Sequence, residues 1–210
     1  MTFKLVGAVG VIGAASVGGF GIYKAVSMGD SIKTVILRSH SIKFHEFLDI
    51  NDPKWAGVKS EYEKSKSLNK PKREEGNYID KESLPSWCDK TVNSSFTNIN
   101  DFKYRVSLEW CYLNINTLEK QMAFDGKQLV GAKTGETSSW QSIWTTKYKL
   151  DKEKSEWKIG DGGENLNGSD ASQGAVALQQ WCVKKLGIFM YSEEAKQDSK
   201  KFFRFCVKDA

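Results

Sequence analysis

The sequence predicts a mainly α-helical protein, with an N-terminal transmembrane helix over residues 1–27 and a helical body over residues 28–210. Three observations lead to this prediction. An uncharged apolar run stands near the start of the chain, several later segments carry apolar residues at helical spacing, and four aromatic–cysteine pairs recur in two sets. With 210 residues, of which 40% are hydrophobic, the chain has room for one ordinary core, which we expect two similar halves to share.

The N-terminal apolar run extends from Leu5 to Tyr23 and is bounded by Lys4 and Lys24. Its length approaches the roughly 20 residues that an α-helix needs to cross a bilayer, which favours an uncleaved anchor. A cleaved signal peptide is the main alternative, because residues 25–27 are small or uncharged as a signal peptidase requires, and a buried helix is the third. The charges around the run slightly favour a body inside the cell, whereas the cysteines favour the opposite side.

Capping residues predict where the helices of the body begin. Asp52 precedes Pro53, Asp101 precedes an apolar run at helical spacing, and Ser192 precedes two glutamates. The same periodicity predicts helices over 171–186 and, more loosely, over 32–48.

Three segments interrupt the helical pattern. Residues 147–160 alternate apolar and polar side chains, which raises the alternative of a short β-hairpin. Residues 64–81 and 151–170 are polar, and we expect each to be a linker within one half. The acidic and glycine-rich end of the second linker lacks the order of ligands that a calcium-binding EF-hand requires.

Each of the four cysteines directly follows an aromatic residue, in the pairs Trp87–Cys88, Trp110–Cys111, Trp181–Cys182 and Phe205–Cys206. The first and second pairs are 23 residues apart, the third and fourth 24, and the two sets are offset by 94 and 95 residues. Leucine also stands three residues before both Trp87 and Trp181. This spacing predicts an internal repeat, with copies over about 31–122 and 123–210.

The repeat favours one disulfide in each half, Cys88 with Cys111 and Cys182 with Cys206, each shielded by its aromatic neighbours. Such bonds persist outside the reducing cytosol, so this pairing places the body outside the cell. Four buried free thiols are the alternative. A metal site is disfavoured, because no two cysteines lie close enough along the chain for the usual ligand spacings.

Composition and motifs exclude several function classes. The net charge of +5 arises from basic residues that alternate with acidic ones, so we expect no nucleic-acid partner. The segment 126–134 resembles a phosphate-binding loop, but Ala132 stands where that motif needs lysine. His40 and His45, the two histidines, lack a nucleophile partner in the sequence. We therefore predict no catalytic residues, no cofactor and no enzyme activity.

Several features are shared with a known family: the N-terminal glycine- and alanine-rich run, Leu84 with Trp87–Cys88, Trp110–Cys111 followed by Thr117–Leu118, and Leu178 with Trp181–Cys182. In these features the chain resembles the large paralogous sets of uncharacterised membrane-anchored proteins in hemotropic mycoplasmas. Phe205–Cys206 departs from this pattern in having Phe in place of Trp. The resemblance implies a wall-less bacterium and a protein at its plasma membrane that faces the host cell. It implies no reaction.

These observations favour a surface-exposed, single-pass membrane protein that contacts a host cell surface or antibodies and takes part in antigenic variation. The alternative is a solute-binding or enzymatic pocket between the two halves, with Tyr104, Arg105 and Glu109 as candidate lining residues. A third hypothesis is a membrane scaffold in which helices pair through a face of small residues, namely Gly10, Ala14 and Gly18. The oligomeric state is not predicted.

Overall fold

Short helices make up most of the body, and two pairs of three-residue strands join parts of the chain that are distant in sequence. The computed structural model describes residues 29–40 and 42–210, so the predicted anchor over residues 1–27 lies outside the described residues. The mainly helical fold class is confirmed. Within the described ranges, every helix is too short or too polar to span a bilayer.

The helices, in chain order, are α1 (Ile32–Ser39), α2 (Trp55–Lys64), α3 (Leu84–Val92), α4 (Phe102–Trp110), α5 (Leu118–Phe124), α6 (Ser138–Ile143), α7 (Lys149–Asp151), α8 (Gly163–Asn167), α9 (Ala171–Lys185) and α10 (Glu193–Phe205). A single 3₁₀ turn (Lys81–Ser83) leads into α3. A π-helical turn (Trp144–Tyr148) joins α6 to α7. The strands are β1 (His45–Phe47), β2 (Tyr112–Asn114), β3 (Lys127–Leu129) and β4 (Val207–Asp209).

Most of the predicted helix starts have the expected caps. The Asp101 carboxylate accepts a hydrogen bond from the Lys103 N–H, and the Ser192 hydroxyl accepts one from the Ala195 N–H. The helix expected over 32–48 is shorter than predicted. It ends at Ser39, because the backbone of His40 leaves the helical region, and the chain then enters β1.

The two sheets are antiparallel and each contains two strands. β1 pairs with β2 so that Phe47 lies opposite Tyr112, and β3 pairs with β4 so that Leu129 lies opposite Val207. In each pair, the second strand directly follows a cysteine: β2 follows Cys111, and β4 follows Cys206. Because the partners are far apart in sequence, local alternation of side chains does not reveal them.

The β-hairpin considered near 147–160 is absent, so that prediction is wrong. Residues 144–151 continue α6 as the π-helical turn and then α7, and turns follow. The reason lies in the spacing of three aromatic residues. Trp140, Trp144 and Tyr148 follow one another at four-residue intervals, and all three are fully buried, whereas Leu150 is exposed. Burial of three large rings on one helical face outweighs the local alternation.

Two large apolar clusters and one small one form the core. Buried residues between Leu48 and Leu113 form the first large cluster, and buried residues between Leu118 and Val207 form the second. The small cluster packs α1 against Tyr104 and Tyr112.

Both segments that we expected to be linkers are held to the core by buried aromatic side chains. In the first, the Trp110 indole N–H donates to the carbonyl of Asn69 over 3.0 Å. In the second, the Trp144 indole donates to the carbonyl of Leu166 over 3.0 Å, and the Trp181 indole donates to the Asp161 carboxylate over 2.8 Å. The two segments are therefore fixed parts of the body rather than free linkers.

Candidate functional site

All four cysteines form disulfides, which we call the first disulfide (Cys88–Cys111) and the second disulfide (Cys182–Cys206). The prediction of disulfide bonds is confirmed. The first disulfide joins α3 to the residue that follows α4, with 5.4 Å between the Cα atoms. The second joins α9 to the residue that follows α10, with 5.6 Å between the Cα atoms. Each closes a helix pair over one large apolar cluster.

The aromatic neighbours of the cysteines pack in the same clusters as the disulfides. Trp110, Trp181 and Phe205 are buried, and Trp87 is partly buried against the first large cluster. Adjacent residues on a helix point in different directions, so each ring has its own partners. Trp110 packs edge to face on Tyr62, and Phe205 packs in the same way on Tyr148. The rings thus fill the clusters around the disulfides and anchor the polar segments.

The two disulfides differ in access to solvent. The sulfur-bearing residues of the second disulfide are 0% exposed, whereas Cys88 is 4% exposed and Cys111 1%. A small recess of about 40 Å³ reaches the first disulfide, and Lys33, Asp49 and Asp89 contribute to its walls. A thiol reagent therefore has an approach to the first disulfide that the buried second disulfide lacks.

A buried lysine was not predicted. The Lys185 side chain, on the last turn of α9, is only 1% exposed. Its ammonium donates to Asp161 Oδ2 over 2.8 Å, to Glu194 Oε1 over 2.7 Å and to Asp198 Oδ2 over 2.7 Å. It also lies 5.2 Å from the centre of the Trp181 ring. We call Lys185 and its three carboxylates the Lys185 cluster; it ties α9 and α10 to the segment before α8.

Burial and hydrogen bonding act in opposite directions on the Lys185 cluster. Burial alone would lower the pKa of the Lys185 ammonium, but its hydrogen bonds to Asp161, Asp198 and Glu194 outweigh this effect and raise the pKa. Burial would likewise raise the pKa of Asp161, and the bonds from Lys185 and Trp181 lower it instead. The Lys185 ammonium therefore stays charged at neutral pH.

The three carboxylates of the Lys185 cluster lie within 4.8 Å of one another, as the ligands of a cation would. The Lys185 ammonium already contacts one oxygen of each. The chain thus supplies its own cation at this place. Sequence periodicity contained a signal for it, because Lys185 stands four residues after Trp181, on the same buried helix face.

A groove of about 230 Å³ lies between α2 and the loop before α10. Its walls include Gly57, Ser60 and Glu61 from the first half of the chain and Phe189 and Tyr191 from the second. The rings of Phe189 and Tyr191 stack with 5.2 Å between their centres. Burial, reinforced by the negative charge of Glu61, raises the pKa of the Tyr191 hydroxyl. The groove is open, and Glu61 accepts a hydrogen bond from the Glu193 N–H.

The residues that we considered as lining a pocket do not converge on this groove. Tyr104 is buried in the small cluster, and its hydroxyl lies 3.0 Å from His40 Nε2. Arg105 is exposed on α4. Glu109 forms an ion pair with Lys196 over 3.4 Å. The second histidine, His45, lies in β1 beside Tyr112, and burial lowers the pKa of both imidazoles.

Comparisons of the chain with protein-family models, with curated proteins and with solved structures gave no match. The disulfides, the Lys185 cluster and the groove are therefore interpreted from their own geometry.

Proposed function

We propose that the chain is a membrane-anchored protein whose body lies outside the cytosol and contacts a host cell surface or antibodies. The observation that carries this proposal is the pair of disulfides. Both lie within apolar clusters, where they hold the body together, and such bonds persist in oxidising compartments. The apolar run from Leu5 to Tyr23 supports an anchor by its length.

We also infer that the body contains two copies of one module. In each half a strand is followed by a helix that contains the first cysteine and by a later helix that ends directly before the second cysteine. The three residues after the second cysteine pair back onto that strand. Equivalent backbone hydrogen bonds support the inference. The bond from Ile32 N to Ser94 O in the first half corresponds to that from Leu118 N to Ile188 O in the second. The bond from Phe96 N to Asp30 O corresponds to that from Met190 N to Asn116 O. The bond from Ile115 N to Phe44 O corresponds to that from Ala210 N to Gly126 O.

These equivalences favour a boundary slightly earlier than the one predicted from the cysteines. Ser31 caps α1 and pairs with Ser95, seven residues after Cys88. Thr117 caps α5 and pairs with Phe189, seven residues after Cys182. These correspondences support a second copy that begins near residue 117.

The module also accounts for the π-helical turn. Trp55 and Tyr62 are seven residues apart in α2, whereas Trp140 and Tyr148 are eight apart. Each tryptophan donates its indole N–H to a backbone carbonyl shortly after the preceding strand. The π-helical turn accommodates one extra residue, so both tyrosines reach the segment that follows them, at Ile79 and Ile159 respectively.

This architecture suits surface variation. Each disulfide and its aromatic neighbours keep the helix pair closed from within, so exposed polar positions can change without loss of the core. The host side and the antigenic role rest on the resemblance to the hemotropic mycoplasma proteins.

Protease treatment of intact cells that express the full chain tests the location. The proposal predicts that the body is cleaved while a cytosolic marker protein in the same cells stays whole. A body that resists the protease until the cells are lysed would contradict it.

The groove favours a second candidate function, the binding of a small solute between the two halves. Its walls come from both halves, and it combines a stacked aromatic pair with a carboxylate. Thermal unfolding in the presence of a panel of small solutes tests this function. We expect a stabilising solute to lose its effect in Ser60→Leu, which fills the groove, and to keep it in Lys200→Leu, a change on the exposed side of α10.

A further inference from the structure

The residue that precedes β1 has a strained backbone and an exposed ring. Phe44 has φ 69°, and among residues 29–40 and 42–210 it is the single residue other than glycine with positive φ. A left-handed backbone is unfavourable for a residue with a Cβ. Phe44 is 39% exposed, so the body leaves a large part of this residue uncovered. At the corresponding place before β3 the chain has Gly126, with φ 67°.

Phe44 belongs to a small exposed surface with Ile42, Lys43 and Phe124, which we call the Phe44 patch. The rings of Phe44 and Phe124 meet edge to face, with 4.4 Å between their centres. The Lys43 ammonium lies 5.1 Å from the centre of the Phe124 ring. Phe124 is 45% exposed and Ile42 37%. The patch therefore presents two aromatic rings, an aliphatic side chain and a cation to the surroundings.

The position of the Phe44 patch in the chain indicates what covers it. The apolar run ends at Tyr23, and α1 begins at Ile32, so eight residues separate them. Even fully extended, eight residues span at most about 27 Å. The eight residues of α1 add about 12 Å before the patch is reached. A bilayer that holds the apolar run is thus within reach of the patch.

We propose that the Phe44 patch rests on the surface of the membrane, with its two rings at the level of the lipid headgroups and Lys43 at the lipid phosphates. Aromatic residues with adjacent cations are enriched at this level of a bilayer. Insertion of the Phe44 ring buries the part of the residue that the body leaves exposed. The proposal rests on the proposed membrane anchoring, and it adds a second contact that fixes the orientation of the body.

Photolabelling of the full chain in vesicles tests this contact. The vesicles contain phosphatidylcholine, phosphatidylglycerol and a trace of phosphatidylcholine with a diazirine near the headgroup. We expect label on the apolar run and on the peptides that contain Phe44 and Phe124. Leu68 is an internal control, because it is 81% exposed and labelling that followed exposure alone would be strongest there.

Phe44→Gly is the decisive variant, because it removes the ring and relieves the left-handed backbone. We expect roughly threefold to sevenfold less label on the patch, since Phe44 is 39% exposed and only this part of its burial energy is lost. We expect no loss of thermal stability in detergent. Phe189→Ser, which removes an equally exposed ring from the groove, is the matched control and should leave the label on the patch unchanged.

The outcomes separate this proposal from the anchoring on which it rests. Label on the apolar run without label on the patch overturns the proposal and leaves the anchoring intact. Absence of label from both regions overturns the anchoring as well.

Discussion

Reduction of both disulfides is the perturbation with the largest expected effect on stability. It breaks the covalent links but leaves every sulfur atom in place, so the loss of packing that a substitution causes is avoided. The first and second disulfides close loops of 23 and 24 residues. Restriction of the unfolded chain by a loop of this length is worth about 3.4 kcal/mol on the chain-entropy model.

The two contributions should add, because the disulfides lie in separate apolar clusters. Together they amount to about 7 kcal/mol. The total stability of a domain is usually about 5 to 15 kcal/mol. The helical body should therefore be close to unfolding at physiological temperature once both disulfides are reduced. The body would then depend on an oxidising compartment for its fold.

The assay is urea unfolding followed by tryptophan fluorescence, with and without a reductant. The pairs Cys88→Ala with Cys111→Ala and Cys182→Ala with Cys206→Ala isolate each disulfide. We expect nearly equal losses from the two loops, with any difference due to local packing. An unchanged urea midpoint after full reduction would refute the reasoning, because the disulfides would then contribute nothing that the clusters do not supply.

Four further predictions concern single features of the body. Lys185→Met should lower the free energy of unfolding in urea titrations by about 1 to 2 kcal/mol. This loss is smaller than that for a fully buried ion pair, because the carboxylates are partly exposed. Millimolar calcium should restore part of the loss. Gly174→Ala should cost about 1 to 3 kcal/mol in the same titrations, because the added Cβ overlaps the buried Trp144 ring. Because the pKa values of His40 and His45 are lowered in the folded body, the unfolded chain binds more protons. The free energy of unfolding, measured between pH 8 and pH 5, should therefore fall as the pH drops below about 6.5. The fall should be smaller in His40→Gln. Under limiting thiol, mass analysis should find the first disulfide reduced before the second; the reverse order would mean that the recess does not govern access.

Short-range patterns in the sequence predicted the helical parts of the fold well. The caps at Asp101 and Ser192 and the long helix α9 depend on residues within one or two turns of each other, so their physics is local. The disulfide pairing was favoured by the spacing of the cysteines, which also reflects the duplicated order of elements.

Features that depend on distant residues were missed. The strands are three residues long and pair across much of each half, so their pattern is invisible in a local window. The β-hairpin considered as an alternative near 147–160 does not form, because Trp144 and Tyr148 are buried on one helical face. The carboxylates that keep Lys185 charged come from two separate segments, Asp161 from the turn before α8 and the other two from α10. Helical spacing brings Glu194 and Asp198 to one face of α10, but it does not reveal that Asp161 and Lys185 meet them there.

The central claim is that the body lies outside the cytosol and is held by two disulfides. The most direct measurement is mass analysis, without reduction, of the peptides that a protease releases from intact cells after alkylation of free thiols. We predict that Cys88 is released linked to Cys111 and Cys182 linked to Cys206, with no alkylated cysteine. A body protected from the protease, with all four cysteines alkylated, would contradict the claim.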